Sequence, residues 1–280
     1  MRQCLLLAGM MLTSVSGLFA QAEPDTVVEY KTMGEVKLAL HIFNPPDHNP
    51  RDKRPAIVFF FGGGWAVGTP TQFYNQSRYL ASRGMVSVCA EYRTYKKHNT
   101  SPKECVKDGK SAIRWMRSHA DELGIDPDKL AAGGGSSGGH IVAATAMVQG
   151  LEEDGEDSSV SCRPDALVLF NPVIDNGPHG FGYKRVKEYW KDFSPMHNID
   201  EEAPPTIMFL GTNDNLISVA TAEEYRERMK NAGVRCDLHL YEDQPHGFFN
   251  KGRYYETLFE ADKFLASLGY LEGPPTLQNQ

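Results

Sequence analysis

Two apolar runs that pass directly into glycines constrain the fold of this chain more than any other feature. Ala56-Ile57-Val58-Phe59-Phe60-Phe61 leads into Gly62-Gly63-Gly64-Trp65, and Leu130-Ala131-Ala132 leads into Gly133-Gly134-Gly135-Ser136-Ser137-Gly138-Gly139. Six consecutive apolar residues without polar alternation fit a strand buried on both faces. Met85 to Ala90 repeats that pattern, and Ala166 to Phe170, Thr206 to Leu210 and Val234 to Tyr241 supply further strands. Val36 to Phe43 alternates apolar and polar residues, which predicts an antiparallel or edge strand. Helical patterns occupy residues 71 to 83, 102 to 119 (opened by Ser101-Pro102), 220 to 232 and 254 to 268, and an apolar helix follows the second glycine run. Strands alternating with helices predict an α/β architecture, a mainly parallel sheet covered on both faces.

The 280 residues, 41% hydrophobic and 23% charged, suit one large α/β domain or two small domains. The net charge is -7 and no Lys/Arg stripe is visible, which argues against a nucleic-acid partner. Arg2, the apolar run Leu5 to Leu12 and Ala20-Gln21-Ala22 follow the plan of a secretory signal peptide. Residues 1 to 22 are therefore expected to be cleaved after Ala22, and the protein to be secreted or periplasmic. No later segment reaches the roughly 18 apolar residues of a membrane span. The mature domain is expected over 23 to 280. Cys89, Cys105, Cys162 and Cys236 allow three full disulfide pairings that sequence does not rank, alongside a reading as buried thiols. No Cys/His cluster points to zinc, and no metal or organic cofactor is implied. Leu151 to Ser161 is acidic and predicts a solvated surface loop. Residues 176 to 205, rich in aromatics, predict a cap- or lid-like insertion. Residues 272 to 280 predict a frayed tail.

A serine hydroxyl is a poor nucleophile unless it is exposed and held beside a base. A sharp strand-to-helix turn provides the exposure, and crowding there demands small neighbours. The pattern G-x-S-x-G fits twice in the second glycine run, centred on Ser136 or on Ser137. The glycines after Phe61 suggest close backbone approach to a bound group, with amides turned to a developing oxyanion. Two strand ends carry the residues such a serine needs. Thr206 to Leu210 is followed by Gly211-Thr212-Asn213-Asp214, and Val234 to Tyr241 by Glu242-Asp243-Gln244-Pro245-His246-Gly247-Phe248. Asp175, in Asn171-Pro172-Val173-Ile174-Asp175, is a rival acid at another strand end, whereas Asp243 fits an exposed loop charge.

These motifs resemble α/β-hydrolases of the hormone-sensitive-lipase and carbohydrate-esterase type, including acetylxylan and feruloyl esterases. The family's H-G-G-G-[FW] and G-x-S-x-G-G match Phe61 to Trp65 and Gly134 to Gly139, and its G-x-x-D and H-G-F match Gly211 to Asp214 and His246 to Phe248. Glu91-Tyr92-Arg93 and Gly124-Ile125-Asp126-Pro127 are also similar to the family, and the resemblance spans roughly residues 27 to 270. It implies the α/β-hydrolase fold with a sheet of about eight strands. It implies a catalytic triad of Ser136 as nucleophile, His246 as base and Asp214 orienting that base, with an oxyanion hole of Gly63, Gly64 and Ser137 amides. Trp65 is read as a pocket wall or packing residue rather than a chemical participant, and Trp65 and Phe248 are the expected substrate-binding residues. Phe61 departs from the family's usual histidine, which leaves the triad intact and bears on the rigidity of the oxyanion loop.

The expected activity is hydrolysis of carboxylic esters through an acyl-enzyme, on short acyl groups of small molecules or acetyl and feruloyl groups of polysaccharides. Competing readings are a prolyl-peptidase-like hydrolase, a long-chain lipase and a non-catalytic carbohydrate-binding relative. His140, four residues after Ser136, falls one helical turn further on and fits a packing or capping role. His179 and His197, in the irregular segment, are candidates for substrate contact.

Overall fold

The computed structural model describes residues 22–277, so the expected signal peptide of residues 1–22 lies outside the described residues except for Ala22, as do residues 278–280. Among the described residues, eight strands form one sheet in the order β1-β2-β4-β3-β5-β6-β7-β8. These are β1 (Thr26–Met33), β2 (Val36–Phe43), β3 (Arg54–Phe60), β4 (Val86–Ala90), β5 (Ile125–Gly135), β6 (Ala166–Phe170), β7 (Thr206–Gly211) and β8 (Cys236–Tyr241). The run from β4 to β8 is parallel, and β2 is antiparallel to both β1 and β4. The helices are α1 (Tyr74–Ser82), α2 (Tyr95–His98), α3 (Pro102–Ser118), α4 (Ala120–Leu123), α5 (Ser137–Met147), α6 (Tyr183–Val186), α7 (Val219–Asn231) and α8 (Tyr254–Ser267).

The apolar run of β3 explains the layering. Ala56, Val58 and Phe60 point into a core with Ile141 of α5, Ile113 of α3 and Tyr225 of α7. Ile57 and Phe59 point the other way, into a core with Leu80 of α1 and Phe264 of α8. A strand whose alternate residues enter two cores has no wet face, so polar alternation is absent.

Strand β1 has no counterpart among the sequence expectations. Tyr30 and Lys31 are its buried residues, and a register shift between Glu29 and Lys31 breaks the period-two signal. Strand β5 extends beyond the expected Leu130 to Ala132. Gly133, Gly134 and Gly135, which resemble a turn, pair with β3 and β6 as sheet residues.

The acidic loop differs from expectation in a way the charges explain. Glu152, Glu153 and Glu156 are counter-charges for basic residues of α3 and its neighbours. Glu153 meets Lys31 at 2.7 Å and Arg93 at 2.8 Å, and both cations also reach the buried Asp108. Lys107, Lys110 and Arg114 share one face of α3 at helical spacing, and that face is where the loop folds back. The tail also differs. Arg83 donates to the carbonyls of Glu272 and Gly273, and the Thr276 amide donates to Tyr79. Residues 272–277 are therefore tied down without regular secondary structure. The four described cysteines are free thiols, two of them buried.

Burial acts to raise the Glu153 carboxyl, but Lys31, Arg93 and Lys107 outweigh it and pull its pKa down to about 2. A depressed carboxyl stabilises the fold above its unfolded pKa and loses that contribution as pH falls through its folded value. Glu153→Gln is expected to cost about 1–3 kcal/mol at neutral pH. The gap from wild type should close between about pH 4.5 and pH 2, which thermal melts across that range would check.

Candidate active site

Four strand ends deliver the chemistry. At the end of β5, Ser136 adopts φ 53° and ψ -118°, a conformation few side-chain-bearing residues hold. Backbone bonds on both sides fix it. Its amide donates to the Phe170 carbonyl at 2.9 Å, and its own carbonyl accepts from His140 at 3.1 Å and Val173 at 3.0 Å. The turn survives because α5 starts against β3 with no side chain between them: a Cβ on Gly138 would collide with the Phe60 carbonyl.

The structure brings Ser136, His246 and Asp214 together in one hydrogen-bonded line. His246 Nε2 lies 2.9 Å from Ser136 Oγ, and His246 Nδ1 lies 2.7 Å from Asp214 Oδ2. The Asp214 side chain is fully buried, while that of His246 retains 19% exposure. The other Asp214 oxygen accepts from the amides of Leu216 at 2.8 Å and Ile217 at 3.0 Å. Burial alone would raise the Asp214 carboxyl, but the bond from His246 and those two amides outweigh it, so its pKa falls below the usual carboxylate range. An ionised Asp214 fixes the proton of neutral His246 on Nδ1 and leaves Nε2 to accept from the serine hydroxyl.

Gly62 to Gly64 turn beside this line at the end of β3. The Gly62 amide donates to Gln72 Oε1 at 2.6 Å. The Gly63 carbonyl accepts from Ala66 at 3.1 Å and Val67 at 3.2 Å. Gly63 sits at φ 132°, where a Cβ would collide with the Val67 carbonyl. The amides of Gly63, Gly64 and Ser137 have no partner among the described residues, so they are free to meet an oxyanion. Phe61, standing where the family has histidine, stacks on Tyr92 at 4.1 Å between ring centroids, and the Tyr92 hydroxyl donates to the Phe61 carbonyl at 2.7 Å. Stacking thus braces this loop from beneath where the histidine would.

Other expected residues fall elsewhere. Phe248 is 3% exposed and packs on Tyr241 in the core shared with α8, so it does not face a substrate. Trp65 is 1% exposed; it packs edge-on against His140 and closes the floor of a groove. Asp175 accepts from the Gly177 amide and lies 3.8 Å from His197, so its carboxylate serves the insertion and not His246. His197 packs against Trp190 within that insertion, and the exposed His179 lines a cleft of about 160 Å³ with Asp214. Asp243 is exposed, its amide bonded to Thr212. His140 is fully buried, bonds the Phe193 carbonyl at 3.1 Å, and burial lowers its pKa to about 3, so it stays neutral. The insertion 176–205 joins β6 to β7 through α6 and two 3-10 turns and packs Phe181 and Phe193 on Trp65. Among the described residues no cluster of metal-ligating side chains occurs.

Two residues that sequence reasoning did not single out stand against the line. One is Gln72, which holds Gly62. The other is Asn171, whose Oδ1 accepts from the Gly247 amide at 3.1 Å and whose Nδ2 lies 3.3 Å from His246 Nε2. The Gly247 amide requires an oxygen opposite it, which fixes the side-chain orientation and turns the NH₂ to the imidazole. The signal available was its position at the end of β6, four residues before the rival Asp175.

Comparison with known proteins places this geometry among esterases. The BD-FAE family model matches residues 40–181, and the Dienelactone hydrolase family model matches residues 179–271. Esterase 2 of Thermogutta terrifontis, in a structure phosphoramylated by tabun, superposes with a TM-score of 0.85 at 47% identity, covering 89% of this chain and 96% of that one. The same esterase with propionate bound gives 0.85 at 46% identity, over the same shares of each chain. A probable isoprenylcysteine alpha-carbonyl methylesterase of Arabidopsis thaliana is 28% identical over 223 residues, 71% of this chain and 46% of that protein. The chain spans about half the length of the curated relatives it matches.

Asn171→Ala frees the His246–Gly247 turn without touching the nucleophile. It is expected to lower kcat roughly tenfold with KM near wild type, by analogy with the loss of supporting hydrogen bonds. Steady-state kinetics beside a thermal melt would separate this from unfolding.

Proposed function

The chain belongs to the BD-FAE family of α/β-hydrolases, and from that premise we propose that it hydrolyses carboxylic esters through an acyl-enzyme formed on Ser136. The observation that carries this reading is the continuous relay from Ser136 Oγ through His246 to a buried Asp214. The hydroxyl attacks the ester carbonyl as its proton passes to His246 Nε2, and Asp214 stabilises the imidazolium. The tetrahedral oxyanion accepts from Gly63, Gly64 and Ser137 amides. Collapse expels the alcohol, which takes the proton from His246. Water then attacks the acyl-enzyme, its proton moving to His246 and back to Ser136 as the acid leaves. No step calls for a metal or cofactor.

The substrates we propose are short acyl esters, including acetyl or feruloyl groups on polysaccharides. The propionate-bound relative supports a small acyl site, and the insertion 176–205 offers short helical turns and no long apolar lid. We further propose export. The support is the basic Arg2, the apolar run and the Ala20-Gln21-Ala22 site, and N-terminal sequencing of the secreted protein should begin at Glu23. A start at Met1 would refute it.

Fluorophosphonate labelling with mass mapping tests the chemistry. The expected result is one adduct, on Ser136, absent from Ser136→Ala. An adduct on Ser137 would move the nucleophile by one residue, and folded protein without an adduct would overturn the reading. Asp214→Asn, which leaves the imidazole without a carboxylate, should lower kcat by about three to four orders of magnitude.

A further inference from the structure

We propose that the groove beside the oxyanion loop is a subsite for a carboxylate carried by the ester substrate, read by the guanidinium of Arg185. This rests on the ester-hydrolase reading and adds a substrate class to it. The groove, of about 480 Å³, lies between Trp65, Tyr95, Ser101, Pro102 and Arg185. Its walls are continuous with the catalytic loop. The Tyr95 amide donates to the Trp65 carbonyl and the Lys96 amide to the Ala66 carbonyl, both at 3.0 Å.

Arg185 is held in place rather than left to sample solvent. Its Nη1 donates to the Gly64 carbonyl at 2.7 Å, and its guanidinium carbon lies 4.8 Å over the Trp65 ring and 5.9 Å from that of Phe181. Stacking of this kind orders a guanidinium while leaving its second donor edge free. In a chain of net charge -7, no carboxylate pairs with Arg185 among the described residues. Burial draws its pKa down, and no carboxylate is among the groups that offset that cost. Glu104, three residues after the lining Ser101, has its Oε2 engaged by the amide and hydroxyl of that serine. Lys103, which follows the lining Pro102, stands 3.9 Å over the Tyr189 ring. Nη1 is occupied, so Nε and Nη2 present one forked edge, which matches the two oxygens of a carboxylate. Tyr95, 59% exposed, provides an apolar wall for the carbon skeleton that bears it.

The test compares matched esters that differ in one charge. 3-Acetoxybenzoate against its methyl ester places the charge on the alcohol side, and monoethyl succinate against diethyl succinate places it on the acyl side. In one of these pairs wild type should favour the anion by roughly tenfold in kcat/KM, chiefly through KM. Added salt should erode the preference. Arg185→Gln should abolish it, and Arg185→Lys should keep part of it. Because Arg185 also holds Gly64, the readout is the anion-to-neutral ratio within each variant, which a mere loop defect would leave unchanged. Turnover of the neutral esters with no anion preference in either pair, or a preference that survives Arg185→Gln, overturns the subsite and spares the esterase. Failure to hydrolyse any ester instead removes the esterase reading. Calorimetric binding of 3-acetoxybenzoate and monoethyl succinate to Ser136→Ala, with and without Arg185→Gln, then decides the subsite: saturable binding lost in the double variant supports it, and no binding overturns it.

Discussion

The structure is organised around one strained residue. Ser136 sits at φ 53° and ψ -118°, a cost of about 1–3 kcal/mol that surrounding structure must over-determine. Strand β6 supplies the Phe170 carbonyl to its amide, the segment after β6 supplies the Val173 amide to its carbonyl, and α5 supplies His140. The parallel register that brings Gly135 opposite Phe170 is therefore also what aims the Ser136 hydroxyl at His246. Relaxing the turn would withdraw Oγ from His246, so sheet packing and chemistry share the same bonds.

The proposed acid and base arrive on separate strand ends, each with its own brace. Asp214 spends one oxygen on amides at 216 and 217 and the other on the imidazole. That division keeps it ionised despite burial, since three donors outweigh the desolvation of one carboxylate. Asn171 bridges the end of β6 to the turn that carries His246. The base is thereby indexed to the same strand that indexes the serine. Towards the β1 edge of the sheet the largely buried Lys31–Asp108–Arg93–Glu153 network ties β1 and α3 to the acidic loop.

Most of the layered fold was legible because strands buried on two faces leave continuous apolar runs and helices leave caps, such as the box of Ser101 and Glu104. The triad residues were legible as positions because glycines flank crowded turns and the acid and histidine follow strand ends. What escaped has a physical reason in each case. Strand β1 hides because two buried residues and a bulge make no period. Gly133 to Gly135 imitate a turn while pairing as strand. The glutamates of the acidic loop look solvated because their partners on α3 lie 38 to 46 residues earlier. Phe248 looked like a pocket residue because it adjoins the histidine, yet the turn at Gly247, φ 81°, sends it into the core.

The departure at Phe61 shows how the loop and the insertion form one mechanical unit. Without the family histidine, the loop rests below on the Phe61–Tyr92 stack. At its other end Trp65 wedges between His140 and Phe193, and His140 bonds the Phe193 carbonyl. A neutral imidazole is required there, because an imidazolium buried between aromatic residues with no counter-charge would be costly, and burial keeps it neutral. Helix α5 therefore starts at the nucleophile, carries His140 one turn later, and through it sets the height of both Trp65 and the insertion. The amides proposed to hold the oxyanion, the groove beside them and the serine are positioned by the same helix, so a substrate group bound in that groove would report directly on the geometry of the reacting carbonyl.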